Sequence, residues 1–103
     1  MRNKYKAIKT VVGGVKFDSK AEARRYGVLK VMERTGSIEN LELQPKYDLM
    51  VDGTKCGFYK ADFRYIENGK LIIEDVKGMK TPVYNLKKKL IKAIYGIEIL
   101  ETK

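Results

Sequence analysis

The chain has 103 residues, 44% of them hydrophobic and 34% charged, a size and composition typical of one folded domain. Its 22 Lys and Arg residues against 13 Asp and Glu residues give a net charge of +9, which predicts an anionic partner. The absence of histidine and the single cysteine, Cys56, exclude imidazole-dependent nucleophiles, His-ligated zinc and an internal disulfide.

The charge is unevenly distributed along the chain. Residues 1–20 carry six basic residues and one acid, and residues 76–103 carry seven lysines and two acids. Residues 21–75 hold nine basic and ten acidic residues. A metal site framed by a phosphate-binding surface would produce this distribution, and so would a solvated surface with a basic tail.

No segment of the sequence predicts a membrane association. The apolar runs are all shorter than the roughly 20 residues of a membrane span, and no apolar segment follows the basic residues after Met1. Together with the lone cysteine, this predicts a single cytoplasmic domain over residues 1–103, without a membrane partner.

The first elements are a basic arm and a helix. Residues 1–17 form the arm, in which residues 5–17 predict a β-hairpin around Gly13-Gly14. Ser19 and Glu22 have the spacing of a capping box, which predicts a helix over residues 20–35 that ends before Gly36. The residues expected on the buried side of this helix are Ala21, Val28, Leu29 and Met32.

The middle of the chain predicts three strands. Residues 40–51 form a strand interrupted at Pro45, which indicates an edge or a bulge. Residues 57–66 alternate, so that Asp62 lies mid-strand on the face opposite to Tyr59, Ala61, Phe63 and Tyr65. Asn68-Gly69 then predicts a tight hairpin turn into a strand over residues 70–77.

A second helix and a last strand complete the predicted domain. Thr81-Pro82 predicts the start of a helix that runs to about residue 95 and ends at Gly96. Its expected buried residues are Leu86, Leu90, Ile91 and Ile94, and residues 97–100 form the last strand. The fold class is therefore α/β, with a core order α-β-β-β-α-β after an N-terminal hairpin, and a mixed sheet flanked by two helices.

Three residues of the predicted hairpin form a candidate catalytic site. Asp62 and Asp75 lie on adjacent strands, and Lys77 lies on the same face as Asp75 because side chains alternate along a strand. Two carboxylates can share a divalent cation, and a nearby lysine can orient water or stabilise negative charge. Two carboxylates, a divalent cation and a lysine are sufficient to hydrolyse a phosphodiester, and this mechanism does not need a histidine.

These residues resemble the motif of the PD-(D/E)XK nuclease superfamily, which has the restriction-endonuclease-like fold. Asp62 takes the Asp position, and Asp75 and Lys77 take the acidic and Lys positions. Ala61 stands where the motif has Pro, a departure that the family tolerates because that residue binds no metal. Many members carry a glutamate on the first helix as a further ligand, and Glu22 lies at that position.

The resemblance extends over the whole chain to small phage and prophage nucleases akin to Holliday-junction resolvases. It implies a magnesium-dependent DNA endonuclease, with Mn²⁺ as a possible substitute, that cleaves branched or structured DNA. Asp62, Asp75 and Glu22 would hold the metal, and Lys77 would act on the attacking water. A homodimer and an association with phage replication or recombination proteins are also implied.

Two acidic residues have competing interpretations. Glu22 is either a metal ligand or only the second half of the capping box, in which its carboxylate accepts from the Ser19 amide. Glu74 competes with Asp75 for the acidic position, but strand alternation places Glu74 on the face away from Lys77.

Several basic residues are candidate DNA contacts, or alternatively a solvated surface. These are Arg24, Arg25, Lys80, Lys87, Lys88 and Lys92. The alternative function is a non-catalytic nucleic-acid-binding module, which would share the basic charge. It would leave the carboxylate pair unexplained, because two acids facing bound phosphates repel them unless a cation intervenes.

Overall fold

Capping side chains and hairpin turns set the boundaries of most elements. The computed structural model describes residues 10–12 and 14–103. In chain order, the strands are β1 Thr10–Val12, β2 Val15–Phe17, β3 Glu39–Leu43, β4 Lys46–Val51, β5 Thr54–Lys60, β6 Phe63–Glu67, β7 Lys70–Val76 and β8 Ile99–Thr102. Helix α1 spans Lys20–Arg34 and helix α2 spans Pro82–Tyr95. Neither helix has the length and apolar run that a bilayer crossing requires.

The architecture is α/β, with a mixed sheet and an N-terminal hairpin, as predicted. Strands β1 and β2 pair antiparallel and form that hairpin. The parts of the predicted hairpin and arm at residues 1–9, and Gly13, lie outside the described residues.

Both helices begin and end close to the predicted residues. The Ser19 hydroxyl accepts from the Glu22 amide at 3.1 Å, and the Thr81 hydroxyl accepts from the Tyr84 amide at 3.1 Å. These bonds satisfy amides that otherwise have no partner in the first turn. Gly96 ends α2 in the left-handed conformation, with φ 70°, which glycine adopts without steric cost.

The main sheet has four strands in the order β3-β6-β7-β8. Strands β3 and β6 pair antiparallel, as do β6 and β7, whereas β7 and β8 are parallel. The turn between β6 and β7 has positive φ at both Asn68 (52°) and Gly69 (75°), as a type I′ hairpin turn requires. The predicted hairpin is thus confirmed, and its register pairs Phe63 with Glu74.

Two of the predicted strands are each broken in the middle. The strand predicted over residues 40–51 is divided into β3 and β4 at Gln44, which has φ 52°, and Pro45. The strand predicted over residues 57–66 is divided into β5 and β6 at residues 61–62, so Asp62 lies at a bend and not mid-strand. The two breaks face each other, because the Gln44 amide donates to the Asp62 carbonyl at 3.0 Å.

Beyond this double bend, β4 and β5 form a separate two-stranded sheet. The Ala61 amide donates to the Pro45 carbonyl at 3.0 Å, which keeps the two chains joined through the bend. Tyr59 and Ala61 therefore pack in one apolar cluster with α2, whereas Phe63 and Tyr65 pack in a second cluster with α1. Adjacent residues of β7, Ile72 and Ile73, contact different clusters, so the helices cover opposite faces of the sheet.

Three further details of the predicted elements are wrong. Leu86 is 58% exposed, because it lies about 140° around the helix axis from the buried Ile91. Val28 is 49% exposed, and the buried residues of α1 are Ala23 and Leu29. The last strand, β8, begins two residues later than predicted.

Candidate functional site

The centre of the site is a direct contact between Asp62 and Asp75. The bend at residues 61–62 turns the Asp62 amide toward the end of β7, where it donates to Asp75 Oδ1 at 3.0 Å. In return, Asp62 Oδ2 accepts from the Val76 amide at 2.7 Å. The two carboxylates are therefore fixed side by side by the backbone of the partner strand.

Asp75 is almost fully buried, with 1% of its surface exposed. Besides the Asp62 amide, the Tyr59 hydroxyl donates to its Oδ2 atom. Burial raises the pKa of Asp75, although the hydrogen bond from Tyr59 and the charge of Lys77 act in the opposite direction. Burial and this same hydrogen bond also raise the pKa of Tyr59, so the phenol remains a donor at neutral pH.

The pKa of Asp62 is raised as well. Burial raises its pKa to about 7, while the hydrogen bond from the Val76 amide lowers it. The charges of Asp75 and Glu22 raise the pKa further, and Lys77 lowers it. Carboxylates that are desolvated and close to one another are common at functional sites, because a bound cation or a reacting group later offsets the repulsion.

Glu22 belongs to the same electrostatic environment. Burial raises its pKa, as do the charges of Asp18 and Asp75, whereas Lys77 and Lys60 lower it. The Ser19 half of the predicted capping box is present. No hydrogen bond from the Ser19 amide to the Glu22 carboxylate is found among the described residues, so the cap does not account for that side chain.

Lys77 follows β7 and is tied to β8, since its amide donates to the Thr102 carbonyl at 2.7 Å. Its Nζ atom lies 4.5 Å from the centre of the Tyr84 ring. The ring supplies a cation–π contact, which holds the ammonium near the carboxylate pair without neutralising it.

The oxygen donors fit a hard divalent cation, although they do not form a closed cage. Within residues 10–12 and 14–103, no group of three or more His, Cys, Asp or Glu side chains is arranged to hold a metal ion. Asp62 and Asp75 are in contact through the backbone, and Glu22 acts on Asp62 electrostatically. Carboxylate oxygen is the ligand type that Mg²⁺ and Mn²⁺ prefer, so the donor chemistry matches while the third ligand stays a prediction.

Glu74 is held on the opposite face of β7, as strand alternation predicts. It is fully buried, and Arg25 binds both of its oxygens, at 2.7 Å and 3.0 Å. The Tyr65 hydroxyl donates to it at 2.6 Å and the Thr102 hydroxyl at 2.9 Å. Glu74 is thus part of an internal hydrogen-bond network. The sequence predicts that Arg25 contacts DNA, but its guanidinium is paired with Glu74 inside the protein.

Of the other predicted DNA contacts, all except Arg24 lie on α2 or just before it. Lys80 and Lys88 pair with Glu101 at 2.9 Å and 3.3 Å. The hydrogen bond from Tyr84, together with these two lysines, lowers the pKa of Glu101 to about 2. Lys92 pairs with Glu98 at 2.7 Å. The pair of Lys92 and Glu98 is exposed on both sides, so it is weak and can exchange for phosphate.

Lys87 and Arg24 have different surroundings. The Lys87 Nζ atom lies 5.4 Å from the centre of the Phe58 ring. Arg24 is exposed on α1. Their roles as DNA contacts stay predictions.

Sequence reasoning missed Tyr59 and Lys60 as site residues. Alternation identifies Tyr59 as buried, but it cannot show that its hydroxyl reaches Asp75 across the bend. Lys60 lies next to the bend and acts on the pKa of Glu22. The unbroken alternation of residues 57–66 hides the bend that brings both residues to the site.

The comparisons with known proteins bear on the family alone. No curated protein matches the chain, and no solved structure matches it. A family model described as "Protein of unknown function (DUF1064)" matches residues 2–100. Since this match covers nearly the whole sequence, the chain belongs to the DUF1064 family.

Proposed function

We propose that this protein is a metal-dependent DNA endonuclease of the PD-(D/E)XK type. The observation that carries the proposal is the contact between Asp62 and Asp75, in which the Asp62 amide donates to the Asp75 carboxylate and the amide of the residue after Asp75, that of Val76, donates to the Asp62 carboxylate. This places two desolvated acids together beside Lys77, an arrangement that is unfavourable on its own and useful for binding a cation.

The order of elements supports the same proposal. Counted within the main sheet alone, the chain runs α1-β3-β6-β7-α2-β8. This is the α-β-β-β-α-β order that the resemblance implies for the nuclease core. The hairpin of β4 and β5 is then an insertion between the first and second core strands.

Asp62 and Asp75 would hold the cation, with Glu22 as the further ligand. A divalent cation supplies Lewis-acid activation of the phosphate and of the attacking water. The Tyr59 hydroxyl and the Asp62 amide fix the orientation of Asp75, so its carboxylate does not have to reorganise when the substrate binds. Lys77 would orient the water and stabilise negative charge that develops on the phosphate.

The basic surface would bind DNA through its phosphates. The lysines of α2 and Arg24 are suited to contacts that do not read sequence. Branched or structured DNA is the proposed substrate, because so small a domain has little surface for reading bases. A homodimer would supply two sites for two strands, and a phage replication or recombination partner is part of the same proposal.

One observation favours the alternative, a non-catalytic nucleic-acid-binding module. Both oxygens of Asp75 already accept hydrogen bonds, from the Asp62 amide and from Tyr59. In that case Asp62 and Asp75 would have a structural role only, which is to stabilise the bend at residues 61–62 through these hydrogen bonds. The two functions differ in one respect: an endonuclease cleaves the bound DNA when a divalent cation is present, whereas a binding module leaves it intact.

A cleavage assay tests the proposal directly. Branched, nicked and linear DNAs are incubated with the protein in Mg²⁺, in Mn²⁺ and in EDTA. We expect cleavage of branched DNA in either metal and none in EDTA. Binding without cleavage under all conditions would establish the alternative function instead.

The variant Glu22→Gln separates the two roles of Glu22. The Ser19 cap uses the Glu22 amide, which Gln retains, and the repulsion from Asp18 and Asp75 disappears. We therefore expect an unchanged or slightly raised Tm. If Glu22 is a ligand, cleavage falls at least about tenfold, equivalent to about 1.4 kcal/mol, and the Mg²⁺ requirement rises.

The two measurements for this variant are a thermal melt and a Mg²⁺ titration of the cleavage rate. Full activity at low Mg²⁺ would reduce the site to Asp62, Asp75 and Lys77.

A further inference from the structure

A second feature lies beside the carboxylate pair, between β5 and the first turns of α2. It is a groove of about 250 Å³. Its lining residues are Phe58, Tyr59, Lys60, Lys77, Thr81, Val83, Tyr84 and Lys87. Lys77 and Tyr59 also belong to the candidate site, so the groove opens directly onto it.

All charged residues that line this groove are positive. Three lysines, Lys60, Lys77 and Lys87, line it, and none of the lining residues is acidic. Lys80 and Lys88, which lie nearby in the sequence, instead pair with Glu101. A ligand with negatively charged groups is therefore favoured here.

Phe58 adds an exposed aromatic surface to this basic groove. Its side chain is a large aromatic group that is 43% exposed, whereas the neighbouring Tyr59 is 3% exposed. The Nζ atoms of Lys46 and Lys87 lie 4.5 Å and 5.4 Å from the centre of the Phe58 ring. Cation–π contacts at exposed sites are weaker than the stacking of a nucleic-acid base on an aromatic ring, so a base can displace these ammonium groups.

We propose that this groove binds an unpaired nucleotide of DNA, whose base stacks on Phe58 while the lysines contact the adjoining phosphates. The proposal rests on the proposed nuclease function and narrows its substrate to DNA with unpaired bases next to the cleaved bond. An intact duplex is disfavoured because both faces of each base are covered by its neighbours. Single strands, gaps and branch points expose the face that an aromatic ring can cover.

Binding measurements without metal test the groove separately from catalysis. The probes are a continuous DNA duplex and a duplex of equal length that contains a run of unpaired thymines, both in EDTA. For Phe58→Leu, we expect affinity for the thymine-containing probe to fall about tenfold while affinity for the duplex is nearly unchanged. Phe58→Tyr, which keeps the ring, should restore the affinity.

A second measurement reports contact directly. Because the chain has no tryptophan, Phe58→Trp gives a protein with a single indole. Single-stranded thymine oligonucleotide should quench its fluorescence in a saturable way. The matched control is Leu71→Trp, at a site that is 54% exposed near the other end of β7, and its fluorescence should not respond.

The outcomes distinguish this proposal from the nuclease proposal. Equal losses on both probes, or no loss and no quenching, would overturn the nucleotide site, even if the protein cleaves DNA. A selective loss with saturable quenching would support the site. If that protein then cut no DNA in Mg²⁺ or Mn²⁺, the nuclease proposal would fail while the nucleotide site remained.

Discussion

Replacing Asp62 or Asp75 by Asn should reduce metal-dependent cleavage at least about a hundredfold, a barrier increase of about 2.7 kcal/mol. Each change keeps the shape of the side chain and removes one of the two charges that would hold the cation. The chain has no histidine that could substitute as a ligand. Initial cleavage rates under saturating Mg²⁺ are the measurement, and DNA affinity in EDTA should stay close to that of the unchanged protein.

The matched control is Asp52→Asn. Asp52 is exposed and has φ 48°, a conformation that Asn tolerates well, so neither activity nor folding should change. Cleavage at the unchanged rate by both site variants would refute the assignment of the carboxylate pair.

Asp62→Asn also has an expected effect on stability that does not depend on activity. The pKa of Asp62 is raised to about 7 in the folded protein and is about 3.9 in the unfolded chain. Between these values the folded state binds more protons, so the free energy of unfolding falls as the pH rises. The stabilisation is fully present below about pH 3.9 and is lost as the pH passes about 7.

Urea unfolding at pH 5 and at pH 8, without metal, measures this loss. The unchanged protein should lose more stability between the two pH values than Asp62→Asn does. A pH dependence that the substitution leaves intact would show that Asp62 titrates normally in the folded protein.

Breaking the ion pair between Arg25 and Glu74 should have the largest effect on folding. In Arg25→Met the carboxylate of Glu74, which is fully buried, loses its bidentate partner and keeps only the hydroxyls of Tyr65 and Thr102. Removing one partner of a buried pair leaves an uncompensated charge. We expect a loss of about 3 kcal/mol and a fall in Tm of roughly 10–20 °C.

The double variant Arg25→Met/Glu74→Leu provides the control. It removes both charges and should recover most of the lost stability, since an apolar pair of similar volume can replace a buried ion pair. A single Arg25→Met variant that melts normally but binds DNA weakly would return Arg25 to its predicted role as a phosphate contact.

Local signals predict much of the fold. Ser19 and Thr81 locate both helix starts, and Asn68-Gly69 fixes the register of β6 and β7. That register pairs Phe63 with Glu74, which is why the proximity of Asp62 and Asp75 could be expected from the sequence. Each of these signals acts over a few residues, so no tertiary information is needed to interpret it.

Only one half of the double bend could be predicted. Pro45 indicates the interruption between β3 and β4, which the structure confirms, whereas the break at residues 61–62 leaves the hydrophobic pattern intact. Tyr59, Ala61, Phe63 and Tyr65 are all buried, as alternation requires, yet two of them contact α1 and two contact α2. The positive φ of Gln44 gives no sequence signal, since Gln rarely adopts it. The hydrogen bond from Tyr59 to Asp75 depends on that bend and was missed with it.

The bend at residues 61–62 connects the hairpin of β4 and β5 to the carboxylate pair over a short length of chain. Only three residues separate Phe58 from the Asp62 amide, which donates to Asp75. The hairpin is itself packed on α2, since the Tyr95 hydroxyl donates to the Asp48 carbonyl at 2.7 Å and Tyr59 shares an apolar cluster with Ile91. The orientation of Asp75 therefore depends on the packing of this hairpin against α2 as well as on the pairing of β6 with β7.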